Sequence, residues 1–220
     1  MKLRVALIGA TGLVGSGAAR ALLDGGWTVE ALLRRPGGIA SSNLREHVES
    51  PEKWPAIVSS LSPDAAVSAL GTTIRVAGSR SAFRAVDLDM VVAFAAAARA
   101  GGARRMVAVS SVGADPGSSN FYLRTKGEME SALAGLGFER LDILQPGLLL
   151  GNRGGERRTG ERIAIALSPV SNLFLRGRLD RFAAIEAEIV AAAVAGALGK
   201  AEPGVYRHDN RGIRALASAF

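Results

Sequence analysis

The sequence predicts a three-layer α/β fold, a doubly wound parallel sheet covered by helices on both faces, with a small C-terminal substrate region. Three observations predict it. Short apolar runs of strand length alternate with longer segments of helical spacing. The connections are short, as right-handed parallel crossovers require. A glycine-rich turn stands between the first apolar run and the first helical segment. With 220 residues, 48% apolar and 21% charged, the chain can bury a sizeable core and is too apolar for disorder. No repeat, low-complexity tract or long linker divides it, so residues 1–220 are expected to form a single domain.

The elements follow in order. Leu3 to Ile8 reads as a fully buried strand and Gly12 to Leu23 as a helix stopped by Gly25-Gly26. Trp27 to Leu33 completes a β-α-β unit. From Arg34 to Pro63 the signal is weak; Pro36, Pro51, Pro55 and Pro63 predict turns, with one short strand near His47-Val48. Ala65 to Leu70 is a strand. Ser81 to Ala100 is a helix with Phe83, Val86, Met90, Val91 and Phe94 on one side. Arg105 to Ser110 is a strand, Tyr122 to Leu136 an amphipathic helix, and Phe138 to Leu144 a strand ended by Pro146-Gly147. A polar loop spans 151–160. Ala183 to Leu198 is an alanine-rich helix, and Gly204 to Arg207 a final short strand.

Composition removes several chemistries. There is no cysteine, which excludes a disulfide scaffold, a thiolate metal site and a cysteine nucleophile. Two histidines, His47 and His208, exclude a histidine-rich metal site and make a Ser-His-Asp triad strained. The net charge of +7 is spread without a run of five like charges and aromatics are 5%, so it reads as a solvated arginine-rich surface; no nucleic-acid partner is expected. Apolar runs such as Met90 to Ala98 fall short of the ~20 residues of a spanning helix, so no membrane partner is expected. Met1-Lys2-Leu3-Arg4 opens like a signal peptide, but Gly9, Thr11, Gly12 and Gly15 break the apolar stretch behind it. The expected compartment is the cytoplasm.

Gly9-Ala10-Thr11-Gly12-Leu13-Val14-Gly15 lies at the strand-to-helix turn. In such a turn the first glycine permits the tight bend, the second admits a pyrophosphate to the backbone, and the third lets helix and strand pack closely. The helix N-terminus then offers unpaired N–H groups to phosphates. The end of the second strand selects the nucleotide. A carboxylate there would hold a ribose 2′-hydroxyl; Glu30 comes too early, and the strand ends in Leu33-Arg34-Arg35-Pro36. Two guanidinium groups suit a 2′-phosphate, so NADP(H) is preferred and NAD(H) remains an alternative.

Val109-Ser110-Ser111 ends a strand at the carboxyl edge of the sheet, and Tyr122 and Lys126 follow four residues apart on one helical face. A tyrosine hydroxyl, titrating ordinarily near pH ~10, is a poor acid–base group at neutral pH; a neighbouring ammonium stabilises the phenolate and makes it serviceable. Lys126 also suits the nicotinamide ribose. A serine hydroxyl would hold the substrate's carbonyl or alcohol oxygen. After the last central strand, Asn152-Arg153-Gly154-Gly155-Glu156-Arg157-Arg158 has two readings: an anion site for the substrate through Arg153, Arg157 or Arg158, or a solvated turn in which Glu156 and Glu161 pair with the arginines. Phe174 and Leu175 are either part of an apolar lid over the substrate, within a substrate-side segment spanning 151–185, or ordinary packing.

These stretches, with Leu70-Gly71-Thr72-Thr73, Val109-Ser110-Ser111-Val112-Gly113-Ala114-Asp115, Tyr122-Leu123-Arg124-Thr125-Lys126-Gly127-Glu128 and Gln145-Pro146-Gly147-Leu148-Leu149-Leu150-Gly151-Asn152-Arg153, carry a resemblance. The chain resembles the atypical short-chain dehydrogenase/reductase superfamily, and within it the branch of the Tat-interacting oxidoreductase and its bacterial relatives. The resemblance implies a Rossmann-type fold with NADP(H) across the strand ends. It implies Tyr122 as acid–base group, Lys126 as its electrostatic partner and ribose ligand, and Ser111 as the substrate-orienting hydroxyl, with Ser110 the alternate. It also implies that Leu70, Gly71 and Thr72 run beside the cofactor's ribose and phosphates and that Pro146 and Gly147 lie near the nicotinamide. The chain is shorter than the superfamily's sugar-nucleotide epimerases and lacks their large substrate lobe. The function expected is therefore an NADP(H)-dependent oxidoreductase acting on a small, unnamed carbonyl or alcohol substrate, as monomer or homodimer. The alternative is a non-catalytic NADP(H)-binding sensor or protein-interaction module.

Overall fold

Among the described residues seven strands form one sheet, and every neighbouring pair is parallel. A computed structural model of the chain describes residues 3–151 and 181–220. In order across the sheet the strands are β3 (Leu44–Val48), β2 (Thr28–Leu33), β1 (Arg4–Ile8), β4 (Ala65–Ser68), β5 (Arg105–Val109), β6 (Arg140–Leu144) and β9 (Gly204–His208). A separate short parallel pair joins β7 (Leu149–Leu150) to β8 (Ile185–Glu186). From β1 the chain runs outward through β2 to β3, then returns to place β4 on the other side of β1. That reversal opens a crevice beyond the carboxyl ends of β1 and β4, where open α/β sheets bind ligands. Ile8 pairs with both Leu32 and Ser68, so these strand ends are level.

Side chains alternate across β1 and divide the core. Val5 and Leu7 face a cluster with α1 (Leu13–Asp24), α7 (Ala187–Leu198) and α8 (Asn210–Ala217). Ala6 and Ile8 face a second cluster with α2 (Trp54–Leu61), α5 (Met90–Ala100) and α6 (Phe121–Ala134). Two short helices, α3 (Ile74–Ala77) and α4 (Arg80–Arg84), precede α5.

Besides the short α3, β7 and β8, which the sequence reading does not contain, three longer elements differ from expectation. The proline-rich stretch 34–63 contains the whole helix α2 besides β3, because Pro55 stands in the first turn, where its missing N–H has no intrahelical partner to lose. The helix expected over 81–100 is interrupted by a π-turn at Ala85–Asp89, a feature that often marks functional sites. Helix α8 went unpredicted although Asp209 caps it, its side chain accepting from the Gly212 amide. Among the described residues no helix is long and apolar enough to cross a membrane. The arginine loop 152–158, Glu161, Phe174 and Leu175 lie outside the described residues.

Candidate active site

The glycine turn shapes one end of the crevice. Gly9 takes φ +86°, and a Cβ there would stand 2.5 Å from the backbone carbon of Ala69 at the end of β4. A Cβ on Gly15 would meet the Gly9 carbonyl oxygen at 2.0 Å. Both positions therefore require glycine, and they let α1 begin directly against the turn. Gly12 is the N-cap of α1 and supplies no side-chain cap, and the first turn carries no acid. The amides of that turn are left to a ligand with negative charge.

Gly12, Leu13 and Val14 line a cleft of about 560 Å³. It continues past Arg34, Trp54, Leu70, Gly71 and Thr72 to Ser110, Tyr122 and Lys126. An adjoining cavity of about 420 Å³ is lined by Gly9, Thr11, Arg34, Arg35, Gly37 and Trp54. Arg34 and Arg35 are exposed at its rim and have no carboxylate partner among the described residues. Glu30 is no rival for a ribose: it is fully buried in mid-strand, 2.8 Å from His47 Nε2 and 3.5 Å from Arg4 Nε. Glu46 is occupied by the Gly37 amide, at 3.1 and 3.2 Å from its two oxygens. A dinucleotide fits this arrangement, with glycine-only backbone at the diphosphate, free amides behind it and two cations at the distal rim.

At the other end, α6 carries Tyr122 and Lys126. Asn120 caps the helix, its Oδ1 accepting from the Leu123 amide at 3.2 Å. The Tyr122 ring packs on Phe83 with centroids 5.6 Å apart. Lys126 is buried, and its Nζ lies 2.6 Å from Asp87 Oδ1, also buried. The other Asp87 oxygen accepts the Thr72 amide at 2.9 Å. Asp87 sits in the π-turn, so that irregularity delivers a carboxylate to the lysine and to the loop after β4 at once. Asp87 is not among the site residues expected from the sequence; the signal for it is an acid on the apolar face of Phe83, Val86 and Met90.

Of the two serines, Ser110 lines the cleft and Ser111 does not. The Ser110 amide still donates to the Leu144 carbonyl at 2.7 Å and the Val112 amide to the Pro146 carbonyl at 3.0 Å, so the pairing with the β6 segment runs past both serines. The Ser110 hydroxyl donates to Glu130 Oε1 at 2.6 Å. That carboxylate also accepts from Gln145 Nε2, at 2.9 and 3.1 Å, and from Arg207 Nε at 2.9 Å. Glu130, Gln145 and Arg207 were likewise absent from the sequence-derived site. Pro146 and Gly147 leave β6 at the same sheet edge without lining the cleft; the Gly147 amide is bonded to Asn210 Oδ1 at 3.0 Å.

Comparison with known proteins agrees with the fold and with NAD(P)H binding. A family described as NAD(P)H-binding matches residues 9–166. Protein FMP52, mitochondrial, of Candida albicans is 39% identical over 165 residues, covering 72% of each chain. Its Aspergillus fumigatus counterpart is 36% identical over 209 residues, 91% of this chain and 88% of the relative. Among solved structures, UDP-glucose 4-epimerase of Thermotoga maritima superposes with a TM-score of 0.70 at 14% identity, covering 98% of this chain and 82% of the epimerase. The Bordetella bronchiseptica enzyme WbmG in complex with NAD gives 0.68 at 14% identity, covering 95% and 73%. At such identity the likeness is one of fold, the Rossmann-like α/β fold expected. The cytoplasmic expectation is overturned, since these curated relatives are named as mitochondrial proteins. The expectation rests on glycines that break a secretory apolar stretch, and those glycines shape the turn from β1 into α1 and carry no information about compartment.

Proposed function

The chain belongs to the NAD(P)H-binding family, and from that premise we propose that it is an NADP(H)-preferring oxidoreductase of small carbonyl and alcohol substrates. One observation carries the reading: a single cleft runs from the uncapped start of α1 to Tyr122, Lys126 and Ser110. The bound nicotinamide would supply or accept the hydride. Gly9, Gly12, Leu13, Val14 and Gly15 hold the diphosphate, Leu70, Gly71 and Thr72 the ribose side, and Arg34 and Arg35 the 2′-phosphate. The Tyr122 hydroxyl gives its proton to the substrate oxygen in reduction and takes one in oxidation. Lys126 faces that exchange with a positive charge whose position Asp87 fixes. Ser110, rather than Ser111, meets the substrate oxygen.

The test is Tyr122→Phe. With a panel of small aldehydes and ketones, the variant should lose NADPH oxidation by about 10²–10⁴-fold, while NADPH binding, followed through Trp54 on the cleft wall, stays unchanged. Equal turnover in the two proteins overturns the assignment. A wild-type chain that binds NADPH but reduces nothing in the panel favours the sensor alternative.

A further inference from the structure

We propose that the substrate is an uncharged, unbranched aldehyde whose hydrocarbon chain lies along the α3–α4 side of the cleft. The inference rests on the oxidoreductase reading above and names a substrate class for it. Two contacts tie this segment to the reacting groups. Phe83 of α4 packs its ring on Tyr122, and Asp87 holds Lys126. Ala82 and Val86 stand immediately before these two residues, four apart on one helical face, and both line the cleft. Val76 and Ala77 of α3 continue the same bank. Val76 lines the cleft and is also 55% exposed, so the bank reaches from the cleft to the protein surface. Its two short helices are held by their caps: Thr73 Oγ1 accepts from the Val76 amide at 3.2 Å, and Ser79 Oγ from the Ala82 amide at 3.0 Å.

Charge is absent from this bank. Among the described residues, the charged side chains lining the cleft are Arg34, at the nucleotide end, and Lys126 and Asp87, which are paired with each other. The segment's own arginines are engaged elsewhere. Arg80 lies over the Phe121 ring, 5.2 Å from its centroid, and Arg84 pairs with Glu128. A carboxylate or phosphate laid on the bank would give up its water for no partner. A hydrocarbon chain gains there with every methylene group it buries. The open end at Val76 sets no wall against added carbons, so longer chains bind better until they reach water. In the reaction the aldehyde takes hydride at carbon from NADPH and a proton at oxygen from Tyr122, and leaves as the primary alcohol with NADP⁺.

The test uses the full chain with NADPH and the straight-chain aldehydes from propanal to octanal. kcat/KM should rise by up to about fourfold for each added methylene group, the effect of burying one. At four carbons, 4-oxobutanoate should be reduced about tenfold less efficiently than butanal, since its carboxylate falls on the bank. Val76→Asp puts a charge at an exposed position that the fold tolerates, and should lower the ratio of octanal to butanal efficiency about tenfold. A second readout needs no chemistry: saturation-transfer NMR on the NADPH complex should find octan-1-ol bound more tightly than butan-1-ol, with Val76→Asp narrowing the difference. Turnover that is flat along the series, or that favours 4-oxobutanoate over butanal, overturns the proposal and leaves the oxidoreductase reading standing. The alcohol preference and its loss in Val76→Asp, in a chain that reduces no aldehyde, would keep this assignment and remove that reading.

Discussion

The turn after β1 and the turn after β5 reach the same cleft by opposite means. The first is built from backbone. Gly9 and Gly15 touch main-chain atoms of Ala69 and Gly9 where any side chain would intrude, and the ligand is offered amides. The second is built from side chains. Ser110 is held by Glu130, which is held in turn by Gln145 and Arg207, and beside them Lys126 is held by Asp87. A diphosphate is a fixed, strongly charged shape, so rigid main-chain dipoles suffice for it. Proton transfer needs groups of chosen donor and acceptor character, which only side chains supply, and burying them demands partners.

The contrast is broken most severely at Asp87. Asp87→Ala leaves Lys126 as a buried, unpaired cation and should destabilise the fold by about 3–5 kcal/mol, read as a lower urea midpoint. The double variant Asp87→Leu, Lys126→Met removes both charges and should recover most of that loss, with no return of turnover. Were the double variant as unstable as the single one, the pair would matter through packing rather than through charge.

On the backbone side the corresponding change is smaller. Gly15→Ala sets a methyl group 2.0 Å from the Gly9 carbonyl oxygen, and relieving the clash should cost about 1–3 kcal/mol. Because the displaced atoms are those proposed to face the diphosphate, NADPH and NADH should weaken together, by tenfold or more, in a fluorescence titration. Unchanged affinity for both would place the diphosphate elsewhere. Arg34→Ala or Arg35→Ala should act on one nucleotide only: NADPH binding weakens about tenfold, the worth of one charge-assisted contact, and NADH binding stays as it was. Equal losses for both nucleotides would remove the arginines from the 2′-phosphate.

The same division explains what could be read from the sequence. Strand-helix order and the glycine turn are local patterns, complete within a few residues, and Tyr122 and Lys126 announce each other four residues apart. Glu130 is invisible by that route, since its partners Ser110 and Arg207 lie 20 and 77 residues away along the chain. Adjacent residues of extended chain point to opposite faces, and the pairing with β6 runs past both serines to Val112, so which of the two lines the cleft is not written in their own order. Helix α2 is hidden in the sequence because its proline has the look of a breaker, although in a first turn proline is a starter.

The smallest effect comes from a bond of the same length in the wrong place to matter. Arg104 Nε donates to Glu139 Oε1 at 2.6 Å, as short as the Ser110 to Glu130 bond, yet both side chains stand in solvent. The hydrogen bond from Arg104 holds the Glu139 carboxyl below its ordinary value of 4.5; desolvation opposes it, and weaker attractions to the charges of Arg104, Arg99 and Arg105 add to the lowering. A depressed carboxyl stabilises the fold above the unfolded-state value and loses that contribution as pH falls through the folded one. Glu139→Gln should therefore be slightly less stable than wild type at neutral pH and converge with it on acidification below 4.5. Solvent screening keeps the gap near the limit of measurement. Thermal melts of the two proteins across that range check it, and a gap rivalling that of Asp87→Ala would mean that burial is not what separates the cleft's polar contacts from those on the surface.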